Sequence, residues 1–124
     1  MTNTVGTVRV VSKRAGGVPA MPKEKIYDVD RTDPILGNKH HLKNINDSCE
    51  RKMVIEAHLL DVMKDLSENG PISKRLDLIA EEVSKGENIA LRCWCAPKPC
   101  HADTYKRLIY DKVRKITKEE DFLF

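Results

Sequence analysis

The chain alternates short β-branched runs with longer stretches of helical period. Thr7–Ser12 is β-branched and partly alternating, which predicts a strand. Gly16-Gly17, Pro19 and Pro22 break it and impose a loop. Lys25–Val29, with Ile26 and Tyr27 as strand formers, predicts a second strand. Asp30 to Asn46 holds Pro34, Gly37 and Asn38 and has no clean period, so it reads as a long loop with room for one helical turn. Asn46, Asp47 or Ser48 can cap the next helix, which runs to Glu68. Its apolar positions are Met53, Ala57, Leu60 and Met63, with Val54, Leu59, Val62 and Leu66 offset beside them, and they predict one broad buried stripe.

Asn69-Gly70 ends that helix and Pro71 opens the next element. A second helix is expected over Ser73–Ser84, burying Leu76, Ile79 and Val83 and ending before Gly86. Asn88–Cys93 predicts a third strand. A third helix follows from His101 to Lys115, with Leu108, Ile109 and Val113 inward. Beyond it the tail, about 117–124, is charged and then apolar, and reads either as a frayed end or as a docking contact.

Strands interleaved with helices predict an α/β domain with a small, mostly parallel sheet of three or four strands. In such a sheet the loops after the second and third strands open at the same carboxyl edge, where α/β folds bind ligands. The Asp30–Asn46 loop is therefore expected beside Cys93–His101. The 124 residues make one domain, 1–124.

Composition narrows the classes. At 40% hydrophobic and 33% charged, the chain is too apolar for disorder and too charged for a membrane protein. No secretory pattern opens it, and no apolar run reaches spanning length. A net charge of +3 permits contact with nucleic acid without arguing for it. Lys106, Arg107, Lys112, Arg114 and Lys115 make the last helix basic, with a solvated face as the default.

The cysteines change the picture. Cys93, Cys95 and Cys100 fall within eight residues, while Cys49 stands apart at a helix start, where it reads as a small half-buried apolar residue. Bunched cysteines without a secretory signal point to a reducing cytoplasm, and to metal ligation or thiol chemistry rather than a disulfide framework.

The run Cys93-Trp94-Cys95-Ala96-Pro97-Lys98-Pro99-Cys100-His101-Ala102-Asp103 resembles the signature of a small bacterial and bacteriophage family, domain-of-unknown-function family 4326. Upstream, Ile26–Arg31 followed by Pro34-Ile35-Leu36-Gly37-Asn38 is similar to that family's second conserved stretch, with Lys39-His40 where the family has Pro-Phe. Arg51 matches a basic residue at the start of the family's long helix. The resemblance spans about Val8 to Tyr110. It implies a fold and a site more than an activity, and a bacterial host cell if the chain is phage-encoded.

Two chemistries suit these residues. Cys93, Cys95, Cys100 and His101 are a thiolate and imidazole set of the kind zinc takes, with His40 or His41 as replacements in the shell. Alternatively, Cys100 in the first turn of a helix is a candidate reactive thiol, with His101 as acid or base and Asp103 orienting it or capping the helix. Arg31 would then grip a phosphate or carboxylate. Gly37 and Asn38 form a turn beside it, Asn38 offering a side-chain contact. Asp28 and Asp30 share one side of a strand end, for a hydroxyl, a metal or solvent.

Trp94 reads as a buried packing residue and His58 as a surface or boundary residue. The leading expectation is a site for a small nucleotide-like anion. The alternative is a zinc-stabilised interaction module for a host protein or nucleic acid, without catalysis. No membrane partner is expected, and a homodimer is an open possibility.

Overall fold

A computed structural model describes residues 5–14, 16–30, 33–37, 47–95 and 98–123, with side chains described up to residue 118. The elements run β1 (Val8–Ser12), β2 (Lys25–Asp28), α1 (Ser48–Glu68), α2 (Pro71–Ser84), β3 (Ile89–Cys93) and α3 (His101–Leu123). The three strands form one all-parallel sheet in the order β1-β3-β2. The chain is thus a small α/β domain.

The central strand is the most apolar. Ile89, Ala90 and Leu91 of β3 are fully buried, as expected of a parallel strand covered on both faces. Its neighbours keep strict register, Ser12 opposite Cys93 and Asp28 opposite Arg92. All three strands therefore end at one edge. The pairing carries on past them, through Lys13 N–H to the Cys93 carbonyl at 2.8 Å and Val29 N–H to the Arg92 carbonyl at 2.9 Å.

The helix boundaries follow local chemistry. Asp47 caps α1 by accepting from the Glu50 amide at 3.0 Å. Asn69 ends it in the left-handed region, at φ 51°. Asp65, in the last turn of α1, accepts from the Ile72 and Ser73 amides and so caps α2, whose first residue is Pro71. A Cβ on Gly70 would stand 2.5 Å from the Asp65 carboxylate, which keeps that position to glycine.

Leu76, Ile79 and Val83 of α2 are fully buried, and Tyr105, Ile109 and Val113 of α3 are buried at helical spacing. The α3 helix packs on β1 and β3, while α1 and α2 pack on α3 and on each other.

Four expectations are corrected. Helix α3 continues to Leu123, so the tail is helical rather than a separate segment. The buried stripe of α1 is only partly the apolar one: Val62 is buried and Leu66 packs on the core as expected, but Arg51 and His58 are buried with them, whereas Met53 and Leu60 are 69% and 72% exposed and Met63 is exposed. Two turns separate Arg51 from His58, so helical period selected this face despite its polar residues. Cys49 is exposed. Trp94 is 56% exposed, because side-chain alternation carries past Cys93, which points inward.

Candidate functional site

The site grows from the end of β3 and the start of α3. Cys93 closes the strand and Cys100 precedes the helix, and both side chains are buried. Their sulfurs stand 3.1 Å apart, in hydrogen-bond contact. The Asp103 carboxylate accepts from the Cys100 amide at 3.0 Å, and the Cys100 sulfur accepts from the Ala102 amide at 3.4 Å. Asp103 therefore serves as the cap of α3 and fixes the Cys100 backbone, one of the two roles its position offered.

Cys95 is the half-exposed member of the group. Hydrogen bonds to Cys100 and Cys93, with the Arg51 guanidinium beside them, hold its thiol far below the ordinary value against the effect of burial. Cys100 moves the opposite way. Its contacts with Cys93 and Cys95 retain its proton, and burial adds to this. Of the two, Cys95 is the half-exposed sulfur and Cys100 the buried one. Sequence position alone favoured Cys100, because a helix N-terminus lowers a thiol pKa. In the folded chain Cys100 is buried against Cys93, while Cys95 keeps partial exposure.

Arg51 is the cation of the site. It projects from the first turns of α1, is buried, and donates from Nη1 to the Pro99 carbonyl at 3.0 Å. That bond ties α1 to the cysteine loop and sets the guanidinium against Cys95.

His101 faces away from the thiols' hydrogen bonds. Its Nε2 meets the Val29 carbonyl beyond β2, and its ring makes an edge contact with His58, centroids 5.0 Å apart. Burial lowers the His101 pKa, while the Val29 carbonyl, Cys95, the Leu36 carbonyl and Asp30 hold it up in part. His58 Nε2 in turn bonds the Tyr105 hydroxyl at 2.8 Å, and burial raises the Tyr105 pKa. These three rings form a polar seam through the core. The sequence pointed to neither His58 nor Tyr105. The available signal was Tyr105 one turn before Ile109, and His58 two turns after Arg51.

At the same strand ends lies an ion-pair group. Asp28 receives Arg92 Nε at 2.7 Å and Nη2 at 3.2 Å, and Lys13 reaches Asp30 at 2.7 Å. Trp94 Nε1 donates to Asp30 at 2.9 Å, with the Lys13 ammonium 5.9 Å from the ring centroid. Arg92 holds the Asp28 carboxyl below its usual value. Asp28 and Asp30 are thus both joined to cations, Asp30 buried and Asp28 still partly exposed.

The start of the long loop does lie beside the cysteine segment, as its order in the sheet required. Asp30 touches Trp94, Val29 touches His101, and Leu36 is buried in the core. Asp33 organises a tight turn by accepting from the Ile35 and Leu36 amides at 2.8 Å, and Gly37 N–H bonds the Asp33 carbonyl at 3.0 Å. Gly37 borders a cavity of about 460 Å³ rich in carboxylates, Asp61, Asp65 and Glu68 among them, which does not suit an anion. Arg31, Asn38, His40 and His41 lie outside the described residues.

For zinc, the donors to consider are Cys93, Cys95, Cys100 and His101. Two thiolates on one tetrahedral zinc stand about 3.8 Å apart, given a Zn–S length of about 2.3 Å. Cys93 and Cys100 are closer than that, and His101 Nε2 is on a carbonyl. Among the described residues, no group of three or more His, Cys, Asp or Glu side chains is set out to hold a metal ion. As arranged here, the sulfurs are a hydrogen-bonded thiol cluster.

A parallel three-stranded α/β domain with a Cys-Trp-Cys loop running into a helix that opens on Cys-His defines the class. The profile of the family described as Domain of unknown function (DUF4326) matches residues 10–111, and the chain belongs to that family. No curated protein and no solved structure matches it. No helix among the described residues is long and apolar enough to cross a membrane.

Proposed function

We propose that this is a thiol-centred domain of the reducing cytoplasm that binds a small nucleotide-like anion and presents Cys95 to it. The observation that carries the reading is the Cys95 sulfur: half-exposed, beside Cys93, Cys100 and the Arg51 guanidinium, whose contacts favour its thiolate, at the sheet edge where α/β folds receive ligands. Cys93 and Cys100 act as thiol donors to it. His101 and Asp103 position the cluster, the first by anchoring α3 to the strand end after β2, the second by capping Cys100. Three free thiols this close together persist in a reducing compartment.

The test is a nucleotide screen, covering mono- and dinucleotides, read by the fluorescence of Trp94, the chain's single tryptophan. Iodoacetamide alkylation of Cys95 is followed by mass spectrometry on the same samples. The expected result is a nucleotide that shifts the emission and protects Cys95 from alkylation. Near one zinc per chain in freshly purified protein, with the three clustered thiols shielded and chelation unfolding the domain, would replace this reading by the zinc-stabilised interaction module.

A further inference from the structure

Charge balance around the molecule is uneven, and the imbalance has a place. Most cations near the sheet are matched to a carboxylate: Arg9 to Glu24, Lys13 to Asp30, Lys25 to Glu82, Arg92 to Asp28, and Lys112 to Asp77. A cavity of about 580 Å³ between the first half of α1 and the start of α3 is different. Arg51, Lys52, Lys98 and Arg107 line it, against the single carboxylate Glu56. Lys52, Lys98 and Arg107 are exposed at its rim, and none of the three carries an ion pair among the described residues. Like charges gathered without counter-ions raise the local concentration of anions.

The rest of the lining says what kind of anion. Ile55, Leu59 and Pro99 give an apolar wall, and Thr104, from α3, adds a hydroxyl. The volume is that of a small-molecule cleft. A free phosphate would leave the wall unused, and a purely apolar ligand would leave the cations unmatched. A phosphate ester of a compact, flat body uses both.

We infer that this cavity seats the phosphate of the ligand, with Lys52, Lys98 and Arg107 as its counter-charges and Ile55 and Leu59 as the wall for its non-polar part. The inference rests on the reading of the thiol centre as acting on a nucleotide-like anion, and it names where that anion sits. Arg51 connects the two places, since it lines the cavity and also holds the Pro99 carbonyl and Cys95.

The test uses the full chain and AMP, ADP and inorganic phosphate as probes, with affinities from calorimetry at two salt concentrations. Lys98→Glu/Arg107→Glu removes two counter-charges. Lys74→Glu/Lys85→Glu makes the same charge change on exposed positions of α2 and its cap, away from the cavity. Circular dichroism checks all variants for folding. AMP should bind the native protein and the α2 control alike, weaken by at least about tenfold in Lys98→Glu/Arg107→Glu, and weaken with salt.

Equal weakening in the two charge-reversed proteins would mean a net-charge effect and overturn the inference. AMP binding that survives Lys98→Glu/Arg107→Glu but is lost in Cys95→Ser would overturn the cavity assignment and leave the thiol reading standing. No binding of any of the three probes at millimolar concentration would overturn both.

Discussion

Two groups of polar side chains flank the cysteine loop at the same edge of one sheet, and they are built on opposite principles. The group of Lys13, Asp28, Asp30, Arg92 and Trp94 is closed. Every charge in it meets an opposite charge or a hydrogen-bond partner, and Asp28 is shared between Arg92 and Lys13. The group of Cys93, Cys95, Cys100 and Arg51 is open. Its thiols share protons unevenly, with the surroundings favouring a thiolate at Cys95, and the Arg51 beside it belongs to a wall of cations with a single carboxylate among them. Satisfied ion pairs hold a strand end in place and add little else. Under the proposed reading, the cluster and the exposed Lys52, Lys98 and Arg107 beside it are what a bound anion would complete.

The comparison breaks most visibly at Arg51. Replacing it with Met removes a buried guanidinium and the Pro99 link, and we expect a loss of about 3 kcal/mol in urea unfolding. The same variant should move the pH dependence of Cys95 alkylation part of the way toward that of an ordinary thiol, since the Cys100 and Cys93 hydrogen bonds remain. Tyr105→Phe comes next. It takes the hydroxyl from His58 inside the core, for an expected cost of about 1.5 kcal/mol by the same assay and no change in Cys95 reactivity. Arg92→Met opens the closed group. Because Arg92 and Asp28 are each more than a third exposed, the cost should stay under about 1 kcal/mol, again with Cys95 unaffected. If Arg92→Met changed Cys95 reactivity as much as Arg51→Met does, the two groups would be one.

The smallest effect is a pH slope. Burial lowers the His101 pKa, so below about pH 6.5 the unfolded chain takes up a proton there that the folded protein does not. That contribution to stability is complete above this range and is lost as pH falls. Asp28 and Glu24, held low by Arg92 and Arg9, add a second loss as pH falls from about 4 downward. Thermal unfolding between pH 7.5 and 5.5 should therefore show a falling Tm, with a shallower slope in His101→Gln than in the native protein. An unchanged slope would remove His101 from the account.

Much of the fold was legible because local chemistry and period agreed. Asp47, Asn69-Gly70 and Pro71 mark helix ends by their own backbone preferences, and the structure uses all of them. The three strands and their parallel pairing were legible, with two helices between β2 and β3, whereas the placing of β3 between β1 and β2 was not. Long helix α1 misled because hydrophobicity and position disagree on it. Leu60 and Met63 look like core and are exposed, while Arg51 and His58 look like surface and are buried through hydrogen bonds that only the folded chain provides.

The cysteine group was legible as a cluster from spacing alone. Which sulfur is ionised was not, since that depends on Cys93 and Cys100 meeting across the loop and on Arg51 arriving from a helix about 45 residues earlier in sequence. The cationic cavity was out of reach for the same reason. Lys52, Lys98 and Arg107 belong to three separate segments, and only packing brings them together.

The most direct measurement is the pH profile of Cys95 alkylation. Native protein would be treated briefly with iodoacetamide from pH 5.5 to 9, and modification at residue 95 quantified by peptide mass spectrometry against free cysteine in the same tubes. The account predicts a Cys95 rate that is nearly flat across this range while that of free cysteine climbs steeply, with Cys100 protected throughout. A Cys95 rate that rises in parallel with free cysteine, or a Cys100 that reacts first, would contradict it.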